Sequence, residues 1–506
     1  IGEVAILRFT KYIYDDVLQG KIKQAVLAQQ SVREEILLEL KNKEQEKYIP
    51  KKSSLTCPAK ELEPLKRLFI QTATIIRTAI MQQRPILLSH HADCDGYCAG
   101  LQVEEAIKNL ILASHKDIRN INDYYQRNPS KTPYYDIIDA TKDIAHFLAR
   151  SQRFNLAPPL IIILDNGSGT EDLLAIQKTK IFGAEVVVVD HHEPGALDEH
   201  NQSKTCKHVL AHINPYLVGQ DSSLSASILS FELSQFINEE ISPRPELAAL
   251  GAVADKSQAN ATDWFISQSQ ENRDYFEELA LYVDYEIFQT KFLTQESALE
   301  RLLIGTKQEQ LALINLYEPL LKENQEELQS VVKTYHTHQY ISGYDVYILD
   351  GELTAQRGDY YSIGKLAAIL SKIFEEKKPR LTIVHSSEII VFRCDQEKEH
   401  FSVHALLSFL KKELPFARIS GGGHHSAGSI RHIAIAKEEV FKKRFTFKRK
   451  FFFLFSKKKY FQEEVLFLFF SFHGSSKKNT LKKEFSISLS SDFFSSSFFT
   501  LVRLTS

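Results

Sequence analysis

Val186-Val187-Val188-Val189-Asp190-His191-His192-Glu193-Pro194 is the stretch on which the fold of this 506-residue chain turns. Four β-branched residues in succession are too apolar for an exposed helix. They read as a strand buried on both faces, the habit of parallel sheets. The strand delivers one carboxylate and two imidazoles to its C-terminal end. In an open α/β sheet that is the edge where ligands bind. Imidazole suits Mn, Zn and Fe, and carboxylate suits Mg and Mn, so a divalent metal is the ligand that this triplet fits.

Working upstream, Leu160-Ile161-Ile162-Ile163-Leu164 is a second apolar strand, ending in Asp165-Asn166-Gly167-Ser168-Gly169. A helix predicted over 171–182 returns the chain to the Asp190 strand. Earlier still, Pro85-Ile86-Leu87-Leu88-Ser89 runs into His90-His91-Ala92-Asp93-Cys94-Asp95-Gly96, with a helix predicted over 97–112. His91, Asp93 and Asp95 alternate, and in an extended segment that spacing puts all three side chains on one side. Gly96 permits a tight turn into the helix. Strand-helix alternation of this kind makes a parallel sheet with right-handed crossovers.

Downstream of the triplet, a strand is predicted near 208–213, before Asn214-Pro215. Ser222-Ser223-Leu224-Ser225-Ala226-Ser227 opens a helix to about residue 239, with its serines as the expected caps. A helix N-terminus can also hold a phosphate. A further helix over 245–253 ends at Ala254-Asp255, which makes Asp255 a candidate inward carboxylate. Residues 257–340 read as a helical connector without chemistry of its own. From about 341 a second α/β unit begins, with strands over 345–349, 381–384 and 389–392 and helices over 360–376 and 401–414. It ends on Gly421-Gly422-Gly423-His424-His425-Ser426-Ala427-Gly428, where three glycines let the backbone approach a ligand and offer amides to an anion.

Residues 1–55 read as a helical N-terminal extension, because the apolar residues of 14–43 recur near a 3.6 period. The chain begins at Ile1 and holds a single methionine, Met81, which makes an incomplete or non-standard start the expectation. Residues 441–506 change character to Phe, Lys, Ser and Leu without a sustained period, and read as a low-complexity tail outside the fold, an artefact of the sequence. On that reading truncation after Lys443 leaves stability and activity unchanged. The domains expected are thus 1–55, 56–256, 257–340, 341–440 and 441–506. Net charge is −2 with a pI near 6.9, so any nucleic-acid contact is a local basic groove. Five scattered cysteines imply no disulfide framework and fit a reducing compartment, here the cytoplasm. No apolar run is long enough for a bilayer, so no membrane partner is expected.

Four strand or helix ends therefore offer His91/Asp93/Asp95, Asp165, Asp190/His191/His192 and Asp255. In that order they resemble the DHH phosphoesterase superfamily, which includes RecJ-type exonucleases, nanoRNases, cyclic-dinucleotide phosphodiesterases and a class of pyrophosphatases. The resemblance covers roughly residues 80–440 and extends to the Gly-Gly-Gly-His of the DHH-associated C-terminal domain. It implies an α/β fold: a parallel-sheet domain, a helical connector and a smaller α/β domain, with the active site in the cleft between them. It implies that His91, Asp93, Asp95, Asp165, His191 and Asp255 ligate two divalent cations, manganese first and magnesium the alternative, with Asp165 as the bridge. Asp190 would orient the site and His192 would contact the scissile phosphate. Arg393 and His424, with Gly421, Gly422 and Gly423, would grip the substrate.

The activity implied is hydrolysis of single-stranded DNA or RNA, as in a RecJ-like exonuclease, with short oligonucleotides, cyclic dinucleotides or nucleoside bisphosphates as the alternative substrates. The complete ligand set speaks against a catalytically silent module of the replication fork. His91 stands where bacterial RecJ usually has Asp, Ser426 replaces a common alanine, and no OB-type domain for a long strand is evident. Protein partners and oligomeric state are not readable from the sequence.

Overall fold

The computed structural model describes residues 5–14, 17–27, 48–115, 119–130, 132–154, 156–290, 297–341, 344–354, 360, 363–374, 379–395, 401–423 and 426–440. The chain opens with an antiparallel hairpin, β1 (Ala5–Tyr14) and β2 (Val17–Leu27), whose register pairs Tyr14 with Val17. This corrects the helical reading of that stretch; residues 28–47 lie outside the described ones. The reason is visible in composition. The same residues that recur at a helical spacing are also Val, Ile, Tyr and Phe in partial alternation, which favours a strand wherever a pairing partner is at hand.

Helix α1 (Lys66–Met81) leads into β3 (Ile86–His91), α2 (Cys94–His115), α3 (Arg119–Tyr124) and β4 (Tyr125–Ser130). Then follow α4 (Ile137–Phe154), β5 (Leu160–Leu164), α5 (Leu173–Ile181), β6 (Glu185–Val189) and β7 (Ala211–Ile213). The five strands form one parallel sheet in the order β4-β3-β5-β6-β7. Successive side chains of a strand face opposite sides. Ile162, Leu164, Val187 and Val189 accordingly enter one core, with residues of α1, α2, α6 (Ala226–Ile237) and α7 (Pro245–Ala254). Ile161, Ile163, Val186 and Val188 enter another, with Tyr135 and residues of α4 and α5. Both faces are covered, which is why these strands read as unbroken apolar runs.

The connector consists of α8 (Asn260–Gln268), α9 (Arg273–Gln289), α10 (Ser297–Ile304) and α11 (Lys307–Tyr335). Strand β8 (Thr337–Ile341) already belongs to the next sheet, a departure from an all-helical 257–340. That sheet adds β9 (Tyr344–Asp350), β10 (Arg380–His385), β11 (Ile389–Cys394), β12 (Ser420–Gly423) and β13 (Ala427–Arg431), in the order β12-β13-β11-β10-β9-β8. Only β9 and β10 pair in parallel. Helices α12 (Gly351–Thr354), α13 (Ile363–Ile373) and α14 (Val403–Glu413) complete the unit. The three glycines thus form an edge strand. Among the described residues no helix is long and apolar enough to cross a membrane.

Candidate metal centre

Asp165 stands at the middle of the site. It follows the last residue of β5, is 1% exposed, and adopts a left-handed backbone (φ +57°), which aspartate tolerates better than most residues. Its amide donates to the Val189 carbonyl (2.9 Å), so the kink is tied to the neighbouring strand end. Its two carboxylate oxygens face different partners. Oδ2 lies 3.5 Å from His91 Nδ1, itself 2.7 Å from Asp93 Oδ2. Oδ1 lies 3.3 Å from His191 Nε2 and 3.9 Å from His192 Nδ1. His191 continues outward, with Nε2 4.0 Å from Asp95 Oδ2 and Nδ1 3.7 Å from Asp255 Oδ2. The donor atoms of His91, Asp93 and Asp165 lie within 4.8 Å of one another, as do those of Asp165, His191 and His192, and Asp95 and Asp255 flank the two ring nitrogens of His191.

The route by which Asp95 arrives differs from the sequence expectation. Helix α2 begins at Cys94, three residues earlier than predicted, so Asp95 sits in a first helical turn and not in an extended alternation. Its carboxylate accepts from the amides of Ala226 (2.8 Å) and Ser227 (3.0 Å). Asp95 thereby satisfies the N-terminus of α6, the task assigned above to the serines. Ser225 occupies the cap position without a capping bond. A carboxylate is favoured at that end by the unpaired amides and the helix dipole, and it fills the place where a phosphate was considered. Gly96 matters through close approach: a Cβ there would lie 2.1 Å from the His91 carbonyl oxygen and 3.1 Å from Asp165 Oδ2.

Asp190 is an organiser. It accepts from the amides of Ser168 (3.1 Å), His191 (2.8 Å) and His192 (3.2 Å), and from His192 Nδ1 (2.8 Å). Burial alone would raise its pKa, but the His192 charge and hydrogen bond bring it well below the usual carboxylate range. A buried network that sequence reasoning missed backs this loop. Ser168 Oγ lies 2.8 Å from His212 Nε2, and Asn214 Nδ2 donates to Ser168 Oγ and to the His192 carbonyl, both at 2.9 Å. Asn166, 2% exposed, has no hydrogen bond to either amide atom among the described residues.

The electrostatics call for cations. Burial, then Asp165 and Asp255, pushes the Asp95 carboxyl up to about 7. Burial opposes charge on His91 and His191, yet Asp93 for the first and Asp255 for the second hold both rings well above the ordinary histidine value. Asp165 Oδ2 is buried and makes no hydrogen bond among the described residues. Four carboxylates, Asp165 among them at the centre, and two imidazoles form an oxygen-nitrogen set that fits two divalent cations.

From the second unit, Arg393 on β11 has its Nε buried without a hydrogen bond among the described residues, and burial lowers its pKa. Its charge, with that of Lys372, acts on Lys256, the residue after Asp255. The glycines of β12 have a packing role: a Cβ on Gly421 would lie 2.1 Å from the Ser429 carbonyl oxygen, and one on Gly423 2.6 Å from Gly428 Cα. A Cβ on Gly422 would meet nothing within 4 Å. His404 Nε2 lies 2.8 Å from the Gly423 carbonyl oxygen and 3.5 Å from Glu193 Oε2, and Lys411 Nζ lies 2.5 Å from Glu171 Oε1. Helix α14 is thus tied to the loops that follow Asp165 and His192. His424 lies outside the described residues.

The pattern of the DHH family, N-terminal domain, matches residues 85–254. An uncharacterized protein of Methanocaldococcus jannaschii is 32% identical over 407 residues, 75% of this chain and 53% of its own length. The chain thus spans about half the length of this curated relative. Among solved structures, a DHH domain described as belonging to a member of a ribosomal-protein family superposes with a TM-score of 0.76 at 30% identity, covering 83% of this chain and 98% of that one. RecJ of Thermus thermophilus in complex with Mn2+ gives a TM-score of 0.50 at 16% identity, covering 80% and 57%, a likeness of fold. With the domain pattern, the near-complete coverage and the donor sets at the sheet edge, this chain belongs to the DHH phosphoesterase superfamily.

Proposed function

We propose that the protein is a divalent-metal-dependent phosphodiesterase that hydrolyses single-stranded DNA or RNA in the manner of a RecJ-like exonuclease, working in the cytoplasm. The observation that carries this reading is the placement of Asp165, whose two oxygens face two different donor sets. His91, Asp93 and Asp165 would hold one cation, and Asp95, Asp165, His191 and Asp255 the other, manganese first and magnesium the alternative. When bound, such a pair supplies an activated water and neutralises charge on the phosphoryl oxygens. The chain's own residues do the positioning. The Asp190–His192 Nδ1 bond (2.8 Å) fixes the ring tautomer, so that Nε2 is the atom that would meet the substrate. Asp190 and burial act on His192 in opposite directions, and Asp190 prevails, so the ring is held more basic than usual and suits a phosphate oxygen. Arg393, whose Nε is buried and makes no hydrogen bond among the described residues, suits a second phosphate oxygen or the strand terminus, with Gly421, Gly422 and Gly423 on the edge strand of the same sheet.

The reading is tested with Mn2+-loaded protein on a labelled dinucleotide and a long single strand side by side. Loss of the long strand with little dinucleotide turnover is expected. Preference for the dinucleotide would make the protein a scavenger of short oligonucleotides. Failure to bind metal would leave a silent interaction module and sink the enzymatic reading.

A further inference from the structure

His90 directly precedes the donor His91, is fully buried, and has no part in the site as described so far. Its ring is enclosed by α2. Tyr97 meets it edge-on with the ring centres 4.7 Å apart, and a Cβ on Gly100 would lie 2.8 Å from its Cδ2. The two ring nitrogens have different partners. Nε2 lies 3.4 Å from Arg127 Nη1 on β4, and Nδ1 lies 2.7 Å from the His91 carbonyl oxygen. A guanidinium carries donors only, so Nε2 accepts, the ring is neutral, and its one proton sits on Nδ1. That proton is donated to the His91 carbonyl. Arg127 is itself held from two sides, with Nε 2.6 Å from Glu104 Oε2 on α2 and Nη2 3.0 Å from Glu300 Oε1 on α10. The far end of this chain of contacts is the peptide that joins His91 to Ala92. Its carbonyl accepts from His90, and its N–H, on Ala92, donates to the Ser130 carbonyl at the end of β4 (2.8 Å). One peptide plane is thus gripped at both polar ends, between two candidate ligands, His91 and Asp93, whose donor atoms lie 2.7 Å apart.

We propose that His90 and Arg127 are positioning residues of the metal centre: Arg127 fixes the His90 tautomer, and His90 fixes the His91–Ala92 peptide and with it the angle at which His91 and Asp93 meet a cation. The inference rests on the two-cation reading above and adds two residues that lie outside its donor sets. Neither residue touches a ligand side chain. Their influence passes through the backbone, as outer partners of a metal site act on the ligands they orient. It is confined to the cation held by His91, Asp93 and Asp165, because the bonds that place Asp95, His191 and Asp255 come from α6, α7 and the Asp190 loop. Gly96 leaves the loop little other freedom, since its amide donates to Asp93 Oδ1 (2.9 Å) and its Cα packs against the same His91 carbonyl.

The test is Mn2+ titration calorimetry on the full-length chain. His90→Phe keeps a ring against Gly100 and Tyr97 and removes both hydrogen bonds. It should weaken one of the two Mn2+ sites about 10–100-fold and leave the other within about twofold of wild type. His90→Asn places an amide donor where Nδ1 stood and should bring the weakened site back to within about fivefold of wild type. Arg127→Lys leaves His90 in place, cannot reach Glu104, Glu300 and His90 at once, and should weaken the same site about fivefold; it carries the test if His90→Phe does not fold. A second measurement needs no metal. In the 15N spectrum of the histidine side chains, with His90 assigned by its loss in His90→Phe or His90→Asn, the proton should sit on Nδ1. A proton on Nε2, equal weakening of both sites by His90→Phe, as a mere loss of packing would give, or no recovery with His90→Asn overturns the proposal. Two wild-type sites that neither His90→Phe nor Arg127→Lys alters refute the positioning role alone, whereas a wild-type chain that binds no Mn2+ refutes the proposed function and this role with it.

Discussion

Gly251→Ala is the smallest change that tests how the second donor set is built. Gly251 lies inside α7, where it packs against the start of α6 and the Asp95 carboxylate. A Cβ there would sit 2.4 Å from Ser227 Oγ and 2.6 Å from Asp95 Oδ1, both far inside contact distance. Neither atom can retreat cheaply. Ser227 Oγ donates to the Ala248 carbonyl (3.2 Å) and meets Ser225 Oγ (2.9 Å), and Asp95 is held by the amides of Ala226 and Ser227. Overpacking of this kind costs about 1–3 kcal/mol. Loss of one amide bond to the carboxylate adds about 1.5–3 kcal/mol. Alanine's better helix propensity returns about 1 kcal/mol. The net destabilisation is about 2–5 kcal/mol, or roughly 5–12 °C in Tm for an α/β unit of about 200 residues. Displacing Asp95 should also weaken binding at one of two Mn2+ sites by about 10–100-fold, as loss of an orienting partner does elsewhere. Adding Ser227→Ala removes only the Oγ contact and should recover little of the stability or the metal affinity, because Ser227 Cβ and Asp95 Oδ1 both remain 2.6 Å from the added Cβ. Differential scanning calorimetry and Mn2+ titration calorimetry read both. A Gly251→Ala chain with native Tm and two native Mn2+ affinities would refute the packing argument and, with it, the assignment of Asp95 to the second set.

Asp165→Asn should abolish turnover and weaken both Mn2+ sites together, whereas Asp255→Asn should weaken one; two-site titration distinguishes them. The metal-free protein should lose stability as pH rises from about 4 to 8. Asp172 and Asp143 are pushed up by burial to about 8 and 6, Asp95 to about 7, and His91 and His191 are held high. A group whose folded pKa exceeds its unfolded one stabilises fully below the unfolded value and stops doing so above the folded one, so the urea midpoint should fall through that window. Mn2+ should remove the part due to the donor sets and leave the part due to Asp172 and Asp143. His404→Ala should raise KM about fivefold, the loss of about 1 kcal/mol, by loosening the tie between Gly423 and Glu193, with His404→Gln recovering most of it.

What could be read in the sequence and what could not follows from where each interaction originates. The strands at Leu160–Leu164 and Val186–Val189 were legible because burial on both faces removes polar residues from every position, a purely local mark. The ends of those strands named Asp165 and Asp190 for the same reason. Asp95 was selected on a conformation that it does not adopt: the extended alternation gives way to a helix starting at Cys94, and the carboxylate reaches the others by capping α6, 131 residues away. No local pattern announces a cap supplied from that distance, so the nearby serines took its place. His404 and Lys411 carry no motif either. Each becomes significant only because α14 meets the loops after Asp165 and His192. The donor sets, by contrast, draw every member from the ends of elements between residues 91 and 255, all anchored to one sheet or to the two helices packed on it. On the proposed reading the metal centre is set by the fold of the first unit, and the grip on the substrate by how the second unit docks. Substitutions at the docking contacts should move KM and salt dependence while leaving Mn2+ affinity at its wild-type value.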